Sequence, residues 1–192
     1  MPRNLILDKS FFNRNTLEVA KSLLGKILVR QIGKVRMSGR ITEVEAYHGM
    51  DDLACHASKG KTERTKVMFD RPGMIYVYMI YGIYYCLNIV TMPPDFPAAV
   101  LIRSIEPIEG KKYIQKNRGE KTAEQNLTNG PGKLCQALAI DKKLNGKVLE
   151  EKSGLWVEDD GYLLNEKDIS SCKRIGVSYA KHCADWEWNF RI

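Results

Sequence analysis

Hydrophobic positions divide the chain into a helical opening, a run of strands and a loop-rich end. Asn15 or Thr16 can cap a helix in which Leu17, Ala20, Leu23 and Leu24 share one face, with Gly25 just past its end. Residues 1–15 read as an arm leading into that helix. Residues 27–32 form a short apolar strand, and Gly33-Lys34 turns the chain back into a second strand over 35–47, which opens a β-meander. Two more strands are expected over 75–80 and 83–90, around Tyr81-Gly82, and another over 98–105. Glu106-Pro107 reads as the start of a helix running to Gly119, with proline at its first position. Asn129-Gly130-Pro131-Gly132 leads into a helix with Leu134, Ala137 and Leu138 on one face. Beyond Asp141 the pattern predicts short strands over 147–150, 155–158 and 173–178, with turns at Asn145-Gly146 and Asp160-Gly161. The ending ADWEWNFRI alternates aromatics, as a final strand or an incompletely paired tail. No internal repeat, low-complexity tract or domain boundary interrupts residues 1–192.

Polar residues that break this pattern are the candidates for chemistry. Strand alternation puts Ile41, Glu43, Glu45 and Tyr47 on one face, and Thr42, Val44 and Ala46 on the other. A carboxylate facing the same way as apolar neighbours needs a partner or a job, because unpaired burial is costly. A solvated sheet edge is the other reading for both glutamates. Arg103, between Ile102 and Ser104, is expected to be partly buried and paired with a carboxylate, Glu45 being one candidate. Asn88 lies in an apolar run and must satisfy its amide through structure or ligand. Residues 48–73 form a long polar loop with Lys59, Lys61, Arg64 and Lys66. Such a cluster suits a phosphate backbone, or is simply a solvated charged loop. The glycine-rich entry to the helix after Gly130 can cradle a phosphate through backbone N–H groups, or be a plain helix start.

Composition narrows the choice. A formal charge of +7 over 192 residues favours a polyanionic partner. Cys55, Cys86, Cys135, Cys172 and Cys183 are odd in number and lack a Cys-x-x-Cys spacing, so neither a disulfide framework nor a zinc site is expected. Reduced cysteines suit a cytoplasmic protein. The start MPRNLILDKSFF has no signal-peptide core, and no apolar run reaches membrane-spanning length. His48, His56 and His182 are too scattered to be metal ligands, so no metal or other cofactor is expected. The region from Ile41 to Asn88 holds six of the nine tyrosines beside Glu45 and the basic loop. A carboxylate, stacking rings and basic side chains together are what an enzyme acting on a nucleic-acid base needs.

The runs EAYHGMDDLACH, KTERTKVMF, PGMIYVYMIYGIYYCLN, VLIRSIEP and NGPGKLCQALAI, in that order, resemble the alkyladenine (3-methyladenine) DNA glycosylase family. With the elements above, the expectation is an α+β fold. It has one domain over residues 1–192, built on a curved, mostly antiparallel sheet flanked by helices, with a β-hairpin projecting an intercalating tyrosine. By resemblance, Glu45 is the general base for water, assisted by Arg103 and the backbone carbonyl of Val177. Tyr47, His56 and Tyr78 hold an extruded base, Asn88 disfavours a guanine amino group, and Tyr81 is the wedge. Lys61, Arg64, Gly132 and Lys133 meet the DNA backbone. The implied partner is double-stranded DNA containing damaged purines, bound by a monomer. The implied location is cytoplasmic, nucleoid-associated in a bacterium or nuclear in a eukaryote.

The resemblance also implies a mechanism. The nucleotide is flipped out at a cost of a few kcal/mol. Glu45 deprotonates water and stabilises positive charge developing on the sugar. His56 is placed to help protonate a neutral leaving base. With no lysine in the pocket motifs, a Schiff base is not expected and an intact abasic site is left. The chain departs from the family at Met50 and Glu63, where proline is usual, in the longer connection TMPPDFP, and in an ending that stops at Ile192. Two rival readings are a non-catalytic module that binds damaged nucleic acid, and an enzyme cleaving a small nucleoside or carbohydrate.

Overall fold

The computed structural model describes residues 5–192. The arm expected over 1–15 lies partly outside them. Its described part forms a short strand, β1 (Leu5–Ile6), and one turn of helix, α1 (Lys9–Phe12). Helix α2 (Thr16–Leu23) is capped by the Asn15 side chain, which accepts from Leu17 N–H. Strand β2 (Ile27–Ile32) turns at Gly33-Lys34 into β3 (Val35–His48), the longest strand. After the loop come β4 (Ile75–Ile80), β5 (Tyr84–Val90) and β6 (Ala98–Glu109), then helices α3 (Lys111–Arg118) and α4 (Pro131–Ala137). The end adds β7 (Leu155–Asp159), β8 (Ser170–Cys172) and β9 (Asn189–Arg191).

Among the described residues the strands make one sheet, paired antiparallel throughout in the order β1-β7-β2-β3-β6-β5-β4. Strand β9 extends it beside β3, opposite Glu43–Glu45, and pairs with β8 on its far side. Thus the middle of β3 is held between β6 and β9.

The two faces of the sheet differ. Ile75, Val77, Leu87, Ile89, Val100, Ile102, Val44 and Ala46 enter the main core with Val19, Ala20 and Leu23 of α2 and Leu134 and Leu138 of α4. Each such side chain contributes roughly 1.5–3 kcal/mol of burial. Their strand neighbours Tyr76, Tyr78, Cys86, Asn88, Leu101, Arg103 and Tyr47 point the other way, into a cavity. That second face is covered by the loop 48–73 and the segment leading into β9.

Four local expectations change. Ile41 joins Val44 and Ala46 in the core rather than sharing a face with Glu43 and Glu45. The cause is a pair of register shifts around Glu43, a bulge that reverses the alternation. Strand β6 continues through Pro107, so the helix starts at Lys111. Pro107 pairs with Gly39 beside another register shift, where a missing N–H is tolerated. The chain leaves β6 at Gly110, with φ +70° and a would-be Cβ 2.5 Å from the Arg36 carbonyl, a position closed to other residues. Residues 147–150 make only isolated bridges, Met74 with Val148 and Glu150 with Leu155. Residues 173–178 form no strand; the chain turns at Ile175-Gly176, where Gly176 has φ +78°, and the Arg174 side chain is buried.

Candidate active site

Glu45 is fully buried, and each carboxylate oxygen is occupied. Oε1 accepts from Ile175 N–H at 2.8 Å and from the Asn189 amide at 3.0 Å. Oε2 accepts from the Tyr47 hydroxyl at 2.8 Å, and Arg103 Nη1 stands 3.3 Å away. Arg103 Nε donates to Glu43 Oε1 at 2.9 Å, which also accepts from Asn189 at 2.8 Å. Two carboxylates, one guanidinium and one amide therefore form a single cluster under the sheet face. Burial works against the Arg103 charge, but Glu45 and Glu43 outweigh it and hold the guanidinium pKa above its ordinary value. Burial, reinforced by Glu45, pushes the Tyr47 phenol well up, so it stays a hydrogen-bond donor.

The cluster lies against a cavity of about 420 Å³. Tyr47, Arg103 and Ile175 line it and screen the carboxylate behind them. His56, Tyr76 and Tyr78 make an aromatic wall. The His56 ring meets Tyr78 edge-on at 4.4 Å, and Tyr76 and Tyr78 lie 5.5 Å apart. His56 Nδ1 is hydrogen-bonded to the Tyr76 hydroxyl at 3.0 Å. Burial, then the nearby Arg64 charge, lowers the His56 pKa to about 4, so the ring is neutral at pH 7. A neutral imidazole at this place can offer or accept a hydrogen bond at a leaving base. Asn88 is buried, and its amide donates to the Tyr76 carbonyl at 3.2 Å.

The β4–β5 hairpin carries Tyr81 at its turn, bordering the cavity. Tyr81 is 87% exposed and has φ +51°, a strained backbone for a non-glycine residue. The predicted phosphate contacts divide. Arg64 lines the cavity, its guanidinium 5.6 Å from the Tyr78 ring centroid, rather than standing free on the loop. Lys61 is half-exposed near Asp95 and Phe69. Lys133 Nζ donates to Asn129 Oδ1 at 2.8 Å. Gly132 packs under Tyr84, where a Cβ would come within 3.0 Å, which explains the glycine by close packing of α4 on β5. Val177 is buried and lines the cavity; its carbonyl accepts from Ala180 N–H.

Of the residues singled out from sequence, the structure places Tyr47, His56, Tyr78, Asn88, Arg103 and Val177 around one cavity, with Glu45 behind its wall. Sequence reading misses Tyr76, Ile175 and Asn189. Ile175 contributes only its backbone N–H, which no side-chain pattern reveals. Asn189 lies within the alternating aromatics of the ending, and a polar residue at an inward strand position was the available clue. Among the described residues no group of histidine, cysteine, aspartate or glutamate side chains is arranged to hold a metal.

The sequence profile described as methylpurine-DNA glycosylase (MPG) matches residues 10–192. The chain belongs to this family. It is therefore a DNA glycosylase, a hydrolase of N-glycosidic bonds in DNA repair. Relatives named "Putative 3-methyladenine DNA glycosylase" agree over nearly the whole chain. The one from Methanocella arvoryzae is 49% identical, covering 96% of this chain and 91% of the relative. Those from Clostridium botulinum and Clostridium perfringens (strain SM101) are 47% and 46% identical, covering 98% and 97% of this chain and 96% and 95% of the relatives. No helix among the described residues is long and apolar enough to cross a membrane.

Proposed function

We propose that this glycosylase is monofunctional: it flips alkylated or deaminated purines out of duplex DNA and excises them by water attack at the anomeric carbon. The observation that carries this reading is Glu45, wholly buried yet ringed by donors at the wall of an aromatic cavity. A carboxylate held in this way is placed to act as a base and to stabilise an oxocarbenium-like sugar. A carboxylate has about four acceptor positions, and Glu45 accepts three hydrogen bonds. The fourth, on Oε2, faces Arg103, whose contact is the longest of the set. A swing of Arg103 opens that position to water, with the Val177 carbonyl as its second partner.

The extruded base stacks among Tyr47, His56 and Tyr78, and Tyr81 fills the gap left in the duplex. A cationic alkylpurine gains a cation–π contribution from the tyrosines. No lysine lines the cavity, which favours a simple hydrolysis over a Schiff base. Lys61, Arg64 and the helix entry at Gly132-Lys133 contact phosphates around the flipped nucleotide.

The test is a labelled duplex with one hypoxanthine or ethenoadenine, incubated with the protein and then treated with alkali. Strand cleavage at that site, dependent on alkali, is the expected result. Binding without cleavage supports a non-catalytic module instead. A borohydride-trapped covalent adduct overturns the monofunctional assignment.

A further inference from the structure

Behind the cavity lies a buried ion pair with no assigned role. Asp52 follows β3, and Arg174 follows β8; both side chains are completely enclosed. Arg174 Nη1 donates to Asp52 Oδ2 at 2.6 Å and to the Ala46 carbonyl at 2.9 Å. Its Nη2 donates to Asp52 Oδ1 at 2.7 Å and to the Cys183 carbonyl at 3.2 Å. All four terminal N–H groups are thereby used. The guanidinium carbon is 4.8 Å from the Tyr47 ring centroid and 5.1 Å from that of Trp188. Tyr47 lines the cavity and Arg174 does not, so the ring stands between the cation and the space for substrate.

Three contacts tie this cation to the chemistry. Ala46, whose carbonyl it holds, lies between Glu45 and Tyr47. Tyr47 donates to Glu45 while its ring rests on Arg174. Ile175, the residue after Arg174, supplies the 2.8 Å N–H bond to Glu45. Asp52 carries the order into the loop, accepting from Ala54 N–H at 3.0 Å and from His48 N–H at 3.3 Å.

We infer that Arg174, clamped by Asp52, is a positioning residue that couples the base pocket to the catalytic carboxylate. One guanidinium sets the plane of Tyr47 and delivers the Ile175 N–H to Glu45. The inference rests on the reading of Glu45 as the base. Lysine cannot substitute, because an ammonium lacks the planar fork that reaches Asp52, Ala46 and Cys183 together.

A role in folding alone makes a different prediction. Replacing both members of a buried pair by apolar residues of similar volume tends to preserve stability, whereas removing one does not. The variants are Asp52→Leu/Arg174→Met, Arg174→Lys and Asp52→Asn, each assayed well below its own melting temperature. The readouts are melting temperature, affinity for a duplex with one ethenoadenine, and single-turnover excision with enzyme in excess. The double variant should melt near the wild type and bind within a few-fold, yet excise on the order of 10²-fold more slowly, as misplaced reacting groups do. Arg174→Lys should not restore the rate. Wild-type excision by the folded double variant, or by Arg174→Lys, overturns the inference. Should the double variant not fold, Asp52→Asn, which keeps the shape but turns one acceptor oxygen into a donor facing N–H groups, decides with Arg174→Lys by the same rate criterion. A wild-type protein that excises nothing defeats the reading of Glu45 instead, and the two failures are distinct.

Discussion

The carboxylate end of the cavity and the hairpin end are built on the same sheet but in opposite ways. At Glu45 burial is complete, and groups from β3, β6, β9 and the 175 turn converge. At Tyr81 the ring is 87% exposed, its backbone sits at φ +51°, and Ile83 beside it is also exposed. The first is over-determined, the condition under which electrostatic preorganisation acts without reorganisation cost. The second carries strain and bare apolar surface, which burial against a partner would compensate. On the proposed function, chemistry is fixed by the fold, whereas base extrusion waits for the DNA.

Removing the fixed end should produce the largest effect. Glu45→Gln keeps shape and the acceptor for Ile175 and Asn189 but removes base and charge. Single-turnover excision should fall roughly 10²–10⁴-fold, the usual worth of a general base, while affinity for lesion-bearing duplex persists. A wild-type rate would remove Glu45 from the mechanism. At the other end, Tyr81→Gly separates strain from wedge. Left-handed backbone costs a non-glycine residue about 1–2 kcal/mol, so thermal unfolding should be unchanged or slightly later. The lost stacking, about 1–3 kcal/mol per base, should slow excision about 10–100-fold. If stability and excision fall together, the hairpin is part of the framework and the contrast between the two ends is wrong.

How much of this is legible in the sequence follows the range of each contact. The faces of β4, β5 and β6 follow strict alternation, and that period alone places Tyr78, Asn88 and Arg103 together. Glu45 stands out as a carboxylate on the same strand face as apolar residues, but pattern alone does not decide between catalyst and edge residue; the family resemblance implies the catalyst. The bulge at Glu43 is invisible locally, because it exists only through pairing with Ser104 and Arg191. Pro107 looks like a helix start because its neighbours suit one. It is a strand residue because β3 is long enough to pair with it. Arg174 and Asp52 lie 122 positions apart, and nothing near either announces the other.

A smaller effect sharpens the line between the two ends at His56, which packs against the aromatic wall between them. Its pKa of about 4 lies below the ordinary 6.5, with burial as the leading cause. The folded protein therefore keeps the ring neutral where the unfolded chain would take up a proton. The stability it contributes is present above pH 6.5 and is lost as pH falls toward 4. Across pH 5–8 the His56 ring resonances should not titrate by NMR. His56→Gln should leave the shape of the excision profile unchanged and lower the rate roughly 2- to 10-fold, the worth of one net hydrogen bond. A resonance titrating near pH 6.5, or an acid limb that disappears in His56→Gln, would make His56 a charged proton donor.

The least effect is expected at the rim, and it tests whether the adaptable end extends beyond Tyr81. Lys61 is half-exposed; its ammonium is 3.8 Å from Asp95, itself highly exposed, and 5.6 Å from the Phe69 centroid. Neither contact fixes it, since exposed pairs contribute about 0–1 kcal/mol. It is therefore free to meet a phosphate without breaking anything of value. Lys61→Ala should weaken binding to damaged and undamaged duplex alike, by a few-fold, and reduce the dependence of log affinity on log salt by about one unit of slope. The single-turnover rate at saturating enzyme should not change, because the residue lies outside the cluster around Glu45. A change in that rate with an unaltered salt slope would mean that the basic loop acts on the pocket, not on the backbone.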